Sequence, residues 1–129
     1  METKLVSSPP ESLLARLTPA LRAKYEAFAG LVDEAQLAPP DLLALGRATV
    51  DAAHGLGAWP RPGTAAERAV CAVAERIPFA YQEIGDADFA ALRAQLADAQ
   101  VVPLVVSLCL HDAHRRVQIA WPELERAGA

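Results

Sequence analysis

The chain places 28 alanines among its 129 residues, against only two Trp, two Tyr and three Phe, and that ratio decides what it can fold into. Alanine loses no side-chain entropy on entering a helix and lets helix axes approach closely. A sheet core asks instead for runs of β-branched and aromatic residues, which are few here. The expected class is therefore all-α. One domain of this length buries roughly two-thirds of the surface its unfolded chain exposes, so neither a disulfide nor a metal is needed for stability.

Residues 1–8 have little to bury and are expected to form a mobile arm, with residues 9–129 making a single helical domain. Pro9-Pro10-Glu11 opens a short segment carrying Leu13, Leu14 and Leu17. Thr18 then reads as an N-cap with Pro19 at the first helical position, where a missing N–H costs nothing, and Leu21, Tyr25, Phe28 and Val32 follow at helical spacing on one face. Pro39-Pro40-Asp41 starts a third segment with Leu42, Leu45, Thr49 and Leu56 on one side. It runs out at Gly55 and Gly57, and Trp59-Pro60-Arg61-Pro62-Gly63 is a connecting loop.

Thr64-Ala65-Ala66-Glu67 is a capping-box signature, in which the Thr hydroxyl and the Glu carboxylate each accept from an orphan backbone N–H. The helix it opens carries Val70, Val73, Ala74, Ile77, Tyr81 and Ile84 in one stripe, with a kink or break expected at Pro78. Asp86 is expected to cap the next helix, which buries Phe89, Leu92 and Leu96. The last helix begins near Asp98 to Gln100 with Pro103 in its first turn, is apolar nearly all round from Val101 to Leu110, and turns polar at His111. Such a helix belongs in the middle of a bundle or at a subunit interface, so a second chain is expected to cover part of it.

A net charge of −4 with basic residues scattered along the chain gives no footprint for nucleic acid, whose binding relies on a clustered Lys/Arg face. The longest apolar run, Val101 to Leu110, is ten residues. A bilayer-spanning helix needs about 20. Met1-Glu2-Thr3-Lys4 has no charged-then-apolar export pattern, so a cytoplasmic protein with no membrane and no nucleic-acid partner is expected. Cys71 and Cys109, 38 positions apart, are expected to stay reduced and to sit in the core.

Three stretches carry a likeness to a known family. They are Glu67 to Glu75, then Asp86-Ala87-Asp88-Phe89-Ala90-Ala91-Leu92, then Asp98-Ala99-Gln100-Val101-Val102 with His111-Asp112-Ala113-His114-Arg115. Together they resemble the carboxymuconolactone decarboxylase and alkylhydroperoxidase D-like (AhpD-like) superfamily over about 50 residues. Trp59-Pro60 is similar to a divergent branch, and the region around Leu17-Thr18-Pro19-Ala20-Leu21 matches loosely. The resemblance implies a bundle of five to six helices that assembles as a dimer or trimer. Redox members carry a C-x-x-C pair about twelve residues after a glutamate, with a histidine four residues on. Carried over from Glu67, that spacing puts Phe79 and Gln82 at the cysteine positions and Asp86 at the histidine position. Phe cannot attack a peroxide and Gln cannot shuttle a proton, so the resemblance implies the fold without its dithiol chemistry.

His111, Asp112, His114 and Arg115 form the densest polar group on an otherwise apolar helix. Two histidines at i and i+3 can share a metal, but a catalytic zinc takes three protein ligands and the one remaining histidine is His54, so neither metal nor cofactor is expected. Cations near a helix end are also favoured by the macrodipole alone. Asp51 precedes His54 by three residues, which puts both on one helical face and lets the carboxylate set the imidazole tautomer as a general base requires. Any exposed Asp/His pair has the same spacing. Glu67 is accounted for by its capping box. Cys109 lies one turn before Asp112 and becomes half of a redox pair only if it faces Cys71. Tyr81 and Arg115, with Glu75 and Glu83, are expected to line a small pocket between helices.

The leading expectation is a cofactor-independent decarboxylase, lyase or isomerase acting on a small organic acid or lactone. His54 and His111 are its acid/base candidates, Glu67 or Asp112 the orienting carboxylates, Arg115 the anion anchor, and Tyr81 a substrate contact. Two readings compete with it. One is a non-catalytic member that binds a ligand or a partner; the other is a thiol peroxidase using Cys71 or Cys109.

Overall fold

Local chemistry marks where most helices begin. Thr18 Oγ1 accepts from the Leu21 N–H at 3.3 Å, and Thr64 Oγ1 accepts from the Glu67 N–H at 3.1 Å while Glu67 Oε1 accepts from the Thr64 N–H at 3.0 Å. Both expected caps are present. The computed structural model describes residues 7–128. Among them run α1 (Glu11–Leu14), α2 (Pro19–Glu34), α3 (Pro40–Ala53), α4 (Ala65–Ala74), α5 (Asp86–Gln95) and α6 (Asp98–Arg126), with a short 3-10 helix at Tyr81–Glu83 and no strand. The chain is all-α, as its alanine content requires. Of the expected N-terminal arm, residues 1–6 lie outside the described residues, while Ser7 and the Ser8 carbonyl are hydrogen-bonded to α6. α1 is fastened to the far end of α6 through Trp121 Nε1–H, which donates to Ser12 Oγ at 2.7 Å.

Three boundaries differ from expectation. α4 stops at Ala74, four residues before Pro78, because Pro78 has no N–H to return to Ala74 and biases Ile77 away from helix. Tyr81 and Ile84 therefore leave the α4 stripe for the 3-10 turn. The N-cap of α5 is Gly85 rather than Asp86: the Asp88 carboxylate reaches back to accept from the Gly85 N–H at 2.9 Å, a job for a residue three positions on. Pro103 falls in the second turn of α6, which runs 29 residues and passes through Pro122 as well.

The core is small and tight. Val50, Val70, Val73, Leu92, Leu104 and Leu108 are all at most 1% exposed, and burial of each side chain stabilises by about 1.5–3 kcal/mol. α3 packs on α4 and α6, and α4 on α5. Gly46 makes the closest approach possible: a Cβ there would stand 2.8 Å from Leu108 Cδ2 and 3.2 Å from Val70 Cγ1. α2 buries no residue, and Leu21 and Phe28 of its apolar face are exposed, with Leu31 beside them. α6 buries Val101, Leu104 and Leu108 but leaves Val102 and Val106 exposed. Cys109 shares that outward face and is exposed, so of the two cysteines only Cys71 is a core residue. No helix among the described residues is long and apolar enough to cross a membrane.

Gly46→Val should destabilise the protein by about 1–3 kcal/mol through overpacking against Leu108. Gly30→Ala, in the middle of α2 with no atom within 4 Å of the new methyl, should stabilise it by about 0.5–1 kcal/mol. Urea unfolding midpoints of the two variants check both signs.

Candidate functional site

Arg47, Asp51 and His54 recur at i, i+4 and i+7 on α3, which puts them on one face, and that face meets Ser107, His111, Asp112 and Arg115 of α6. Arg47 Nη2 donates to Ser107 Oγ at 3.2 Å. His111 Nε2 and Arg115 Nε both reach Asp51 Oδ1 at 2.7 Å, and Arg115 Nη2 adds Asp51 Oδ2 at 3.3 Å. His54 Nε2 meets Asp112 Oδ1 at 2.6 Å, while Arg116 Nε donates to Asp112 Oδ2 at 3.0 Å. These pairings climb both helices in the same direction, so α3 and α6 run side by side and parallel along the seam. The sequence suggests Asp51 and His54 as a pair along one helix, but the structure crosses them. Their spacing aims both side chains at α6, and each takes its partner from there.

α3 ends so as to hold His54 in place. His54 is the C-cap, Gly55 turns the chain with φ +75°, and the Leu56 and Gly55 N–H groups return to the carbonyls of Asp51 and Ala52 at 2.9 Å each. Those two bonds make a Schellman motif, which needs a residue without a Cβ at the left-handed position.

Burial and hydrogen bonding together set the protonation states. Asp51 is held below the usual carboxylate range: burial opposes this, but the hydrogen bonds from Arg115 and His111 and their charges prevail. An ionised Asp51 only accepts, so His111 donates from Nε2 and its Nδ1 accepts the Ser7 O–H at 2.8 Å. Tyr25 of α2, pushed above its ordinary value by burial and by Asp33 and Glu26, keeps its proton and donates to His114 Nε2 at 2.6 Å. His114 Nδ1–H then has Ser7 Oγ as its acceptor at 3.3 Å. The donors run one way, from Tyr25 through His114, Ser7 and His111 to Asp51. This order requires both imidazoles to be neutral. Burial lowers both below the ordinary 6.5; at His111 it outweighs the opposing pull of Asp51, and at His114 the neighbouring His111 and Arg115 add to it.

The three histidines are thus not equivalent. His111 and His114 have both ring nitrogens engaged. His54 has Nε2 committed to Asp112 and no hydrogen bond on Nδ1 among the described residues. The His54 side chain is 4% exposed, and the one buried side-chain nitrogen or oxygen without a partner among the described residues is Arg47 Nε. The Phe79 ring stands edge-on to His54 with centroids 5.1 Å apart, and the Arg116 guanidinium lies over its face at 5.3 Å. His54 is thus an oriented imidazole, 4% exposed and walled by an aromatic ring, whose Nδ1 has no hydrogen bond among the described residues, the arrangement of a general base for a molecule that reaches it.

Of the other expected site residues, Glu67 and Tyr81 lie apart from the seam. The Glu67 carboxylate is occupied by the Thr64 N–H on its own cap. Tyr81 is 71% exposed on the 3-10 turn. Arg115 is buried in the seam, gripping Asp51 and Gln118. Cys71 contacts Thr49 Oγ1 at 3.4 Å, and although Cys109 is exposed, partial desolvation of its sulfur together with the Asp112 charge pushes the thiol up, away from thiolate. Among the described residues no group of three His, Cys, Asp or Glu side chains is arranged to hold a metal. Sequence reasoning overlooked Arg47, Ser107, Tyr25 and Ser7. Arg47 was within reach, since its i, i+4, i+7 relation to Asp51 and His54 marks a charged helix face. Tyr25 reads as one of an apolar series and Ser7 as part of an arm, and nothing local distinguishes them.

The unfolded chain takes up protons below pH 6.5 that folded His111 and His114 refuse, so stability should be full above that value and fall as the pH drops through it. A further loss is expected below 3.8, where unfolded carboxylates protonate ahead of Asp51. Urea unfolding at about pH 7.5, 6 and 5 measures the first loss, which should shrink in His114→Gln; a profile that is flat or rises toward acid contradicts the assignment.

In comparisons with known proteins no family model, no curated protein and no solved structure matches this chain, so the seam must be read from its own chemistry.

Proposed function

We propose that the chain is a divergent AhpD-like protein acting as a cofactor-independent enzyme, of the decarboxylase, lyase or isomerase kind, on a small organic acid or lactone. The observation that supports this is the His54–Asp112 pair. Asp112 Oδ1 fixes the proton on His54 Nε2 at 2.6 Å, Arg116 steadies the other carboxylate oxygen at 3.0 Å, and Nδ1 is left as a base. In this reading His54 moves the proton, Asp112 orients it, and Phe79 keeps bulk water from the reacting face. His111 belongs to the framework, since neither of its nitrogens is open. A positioned general base contributes about 10²–10⁴-fold to rate. Turnover of a panel of small lactones and oxo-acids should therefore fall by about 10²-fold or more in His54→Gln with KM little changed, and by less in Asp112→Asn. Absence of turnover across the panel by the intact protein, or an unaltered kcat in His54→Gln, contradicts the reading.

The exposed face of Val102, Val106 and Cys109 on α6 favours a second reading, a non-catalytic member working through assembly with further copies of itself. Light scattering at micromolar concentration should then report a dimer or trimer, and Val106→Glu should yield a folded monomer. A monomeric parent protein removes this reading.

A further inference from the structure

Among the described residues, Arg47 is the guanidinium of the α3–α6 seam without a carboxylate partner. Three guanidinium groups, Arg47, Arg115 and Arg116, face two carboxylates there, and both carboxylates are already held, Asp51 by Arg115 and Asp112 by Arg116. With His111 and His114 neutral, the guanidinium and carboxylate groups of the seam among the described residues sum to one excess positive charge. Among the described residues Arg47 has one hydrogen bond, from Nη2 to Ser107 Oγ at 3.2 Å, and its Nε is buried with none. A charged donor left buried and unsatisfied costs more than a neutral one, which makes the position costly as it stands. It also acts on its surroundings: the Arg47 charge contributes to keeping His111 and His114 neutral.

The same structure shows what satisfies such an edge. Elsewhere on the seam, Arg115 presents Nε and Nη2 to the two oxygens of one carboxylate, at 2.7 and 3.3 Å. Arg47 offers the same two nitrogens. Ser107 Oγ accepts from Arg47 and uses its own hydrogen on no acceptor among the described residues, so the hydroxyl is a further donor beside that edge. We infer that Arg47 and Ser107 form a binding site for the carboxylate of a small organic acid, seated on the Nε and Nη2 edge of Arg47 as the Asp51 carboxylate is seated on Arg115. A monoanion balances the single excess charge, whereas a phosphate dianion would leave the seam negative. The site goes beyond the acid/base reading: Arg47 and His54 are separated by two turns of α3, about 10 Å, and a carboxylate bound at Arg47 does not require His54 to transfer a proton.

Acetate is the simplest probe. In protein labelled with ¹⁵N at arginine, titration with sodium acetate at constant ionic strength should move the Arg47 Nε–H signal saturably, while signals of surface arginines drift little. The signal is assigned by its loss in Arg47→Met, and acetate should raise the Tm of the parent protein but not of that variant. Should Arg47→Met fail to fold, Arg47→Lys keeps the charge without the fork and should weaken acetate binding at least about tenfold. His54→Gln should bind acetate as the parent does, which separates this inference from the catalytic one. Inorganic phosphate should bind at least about tenfold more weakly than acetate. Absence of saturation by about 100 mM acetate, equal drift of all arginine signals, unchanged binding in Arg47→Lys, or phosphate binding the tighter of the two overturns the proposal.

Discussion

The carboxylate of Asp51 is the point on which the polar seam depends. It accepts from His111 and twice from Arg115, joining the last turn of α3 to the polar half of α6. Everything beyond His111 takes its direction from that carboxylate: because Asp51 only accepts, His111 must donate to it, Ser7 must donate to His111, and His114 and Tyr25 follow in turn. A buried charge pair is weak evidence for net stability but costly to break on one side, so Asp51→Ala would take the carboxylate away from buried Arg115 and from His111. The apolar core beneath the seam, where Gly46 lets α3 close on Leu108 and Val70, brings the two helices near enough for these bonds to form.

Short-range chemistry was readable from the sequence. The Thr18 and Thr64 caps, the glycine stop after α3 and the stripe through Val70 and Val73 each depend on residues within one or two turns of one another. What could not be read depends on which faces meet. Asp51 and His54 share a helical face, and that much is visible in their spacing. Their exchange of partners with His111 and Asp112 follows from the parallel approach of α3 and α6, which no local pattern encodes. Cys109 shows the same limit. An all-round apolar helix gives no sign of which side will lie outward, and position 109 falls on the uncovered side with Val102 and Val106. The early end of α4 is a smaller case, where the influence of Pro78 reaches back a full turn.

The two ends of the seam differ in a way that matters for chemistry. Around His111 and His114 every ring nitrogen is used, which suits a rigid framework joining α2, α6 and the chain at Ser7. Among the described residues His54 Nδ1 has no hydrogen bond at one end, and Arg47 Nε is unsatisfied at the other. Networks fully satisfied at the centre and open at their edges are rigid where they hold the fold and available where a ligand can complete them.

The most direct measurement of this account is the tautomeric state of the three imidazoles at neutral pH, read from long-range ¹H–¹⁵N correlations in the folded protein. His54 and His111 should carry a proton on Nε2 and His114 on Nδ1, with His111 and His114 neutral. A doubly protonated His111, or His114 protonated on Nε2, would break the one-way order of donors from Tyr25 to Asp51 and contradict the account.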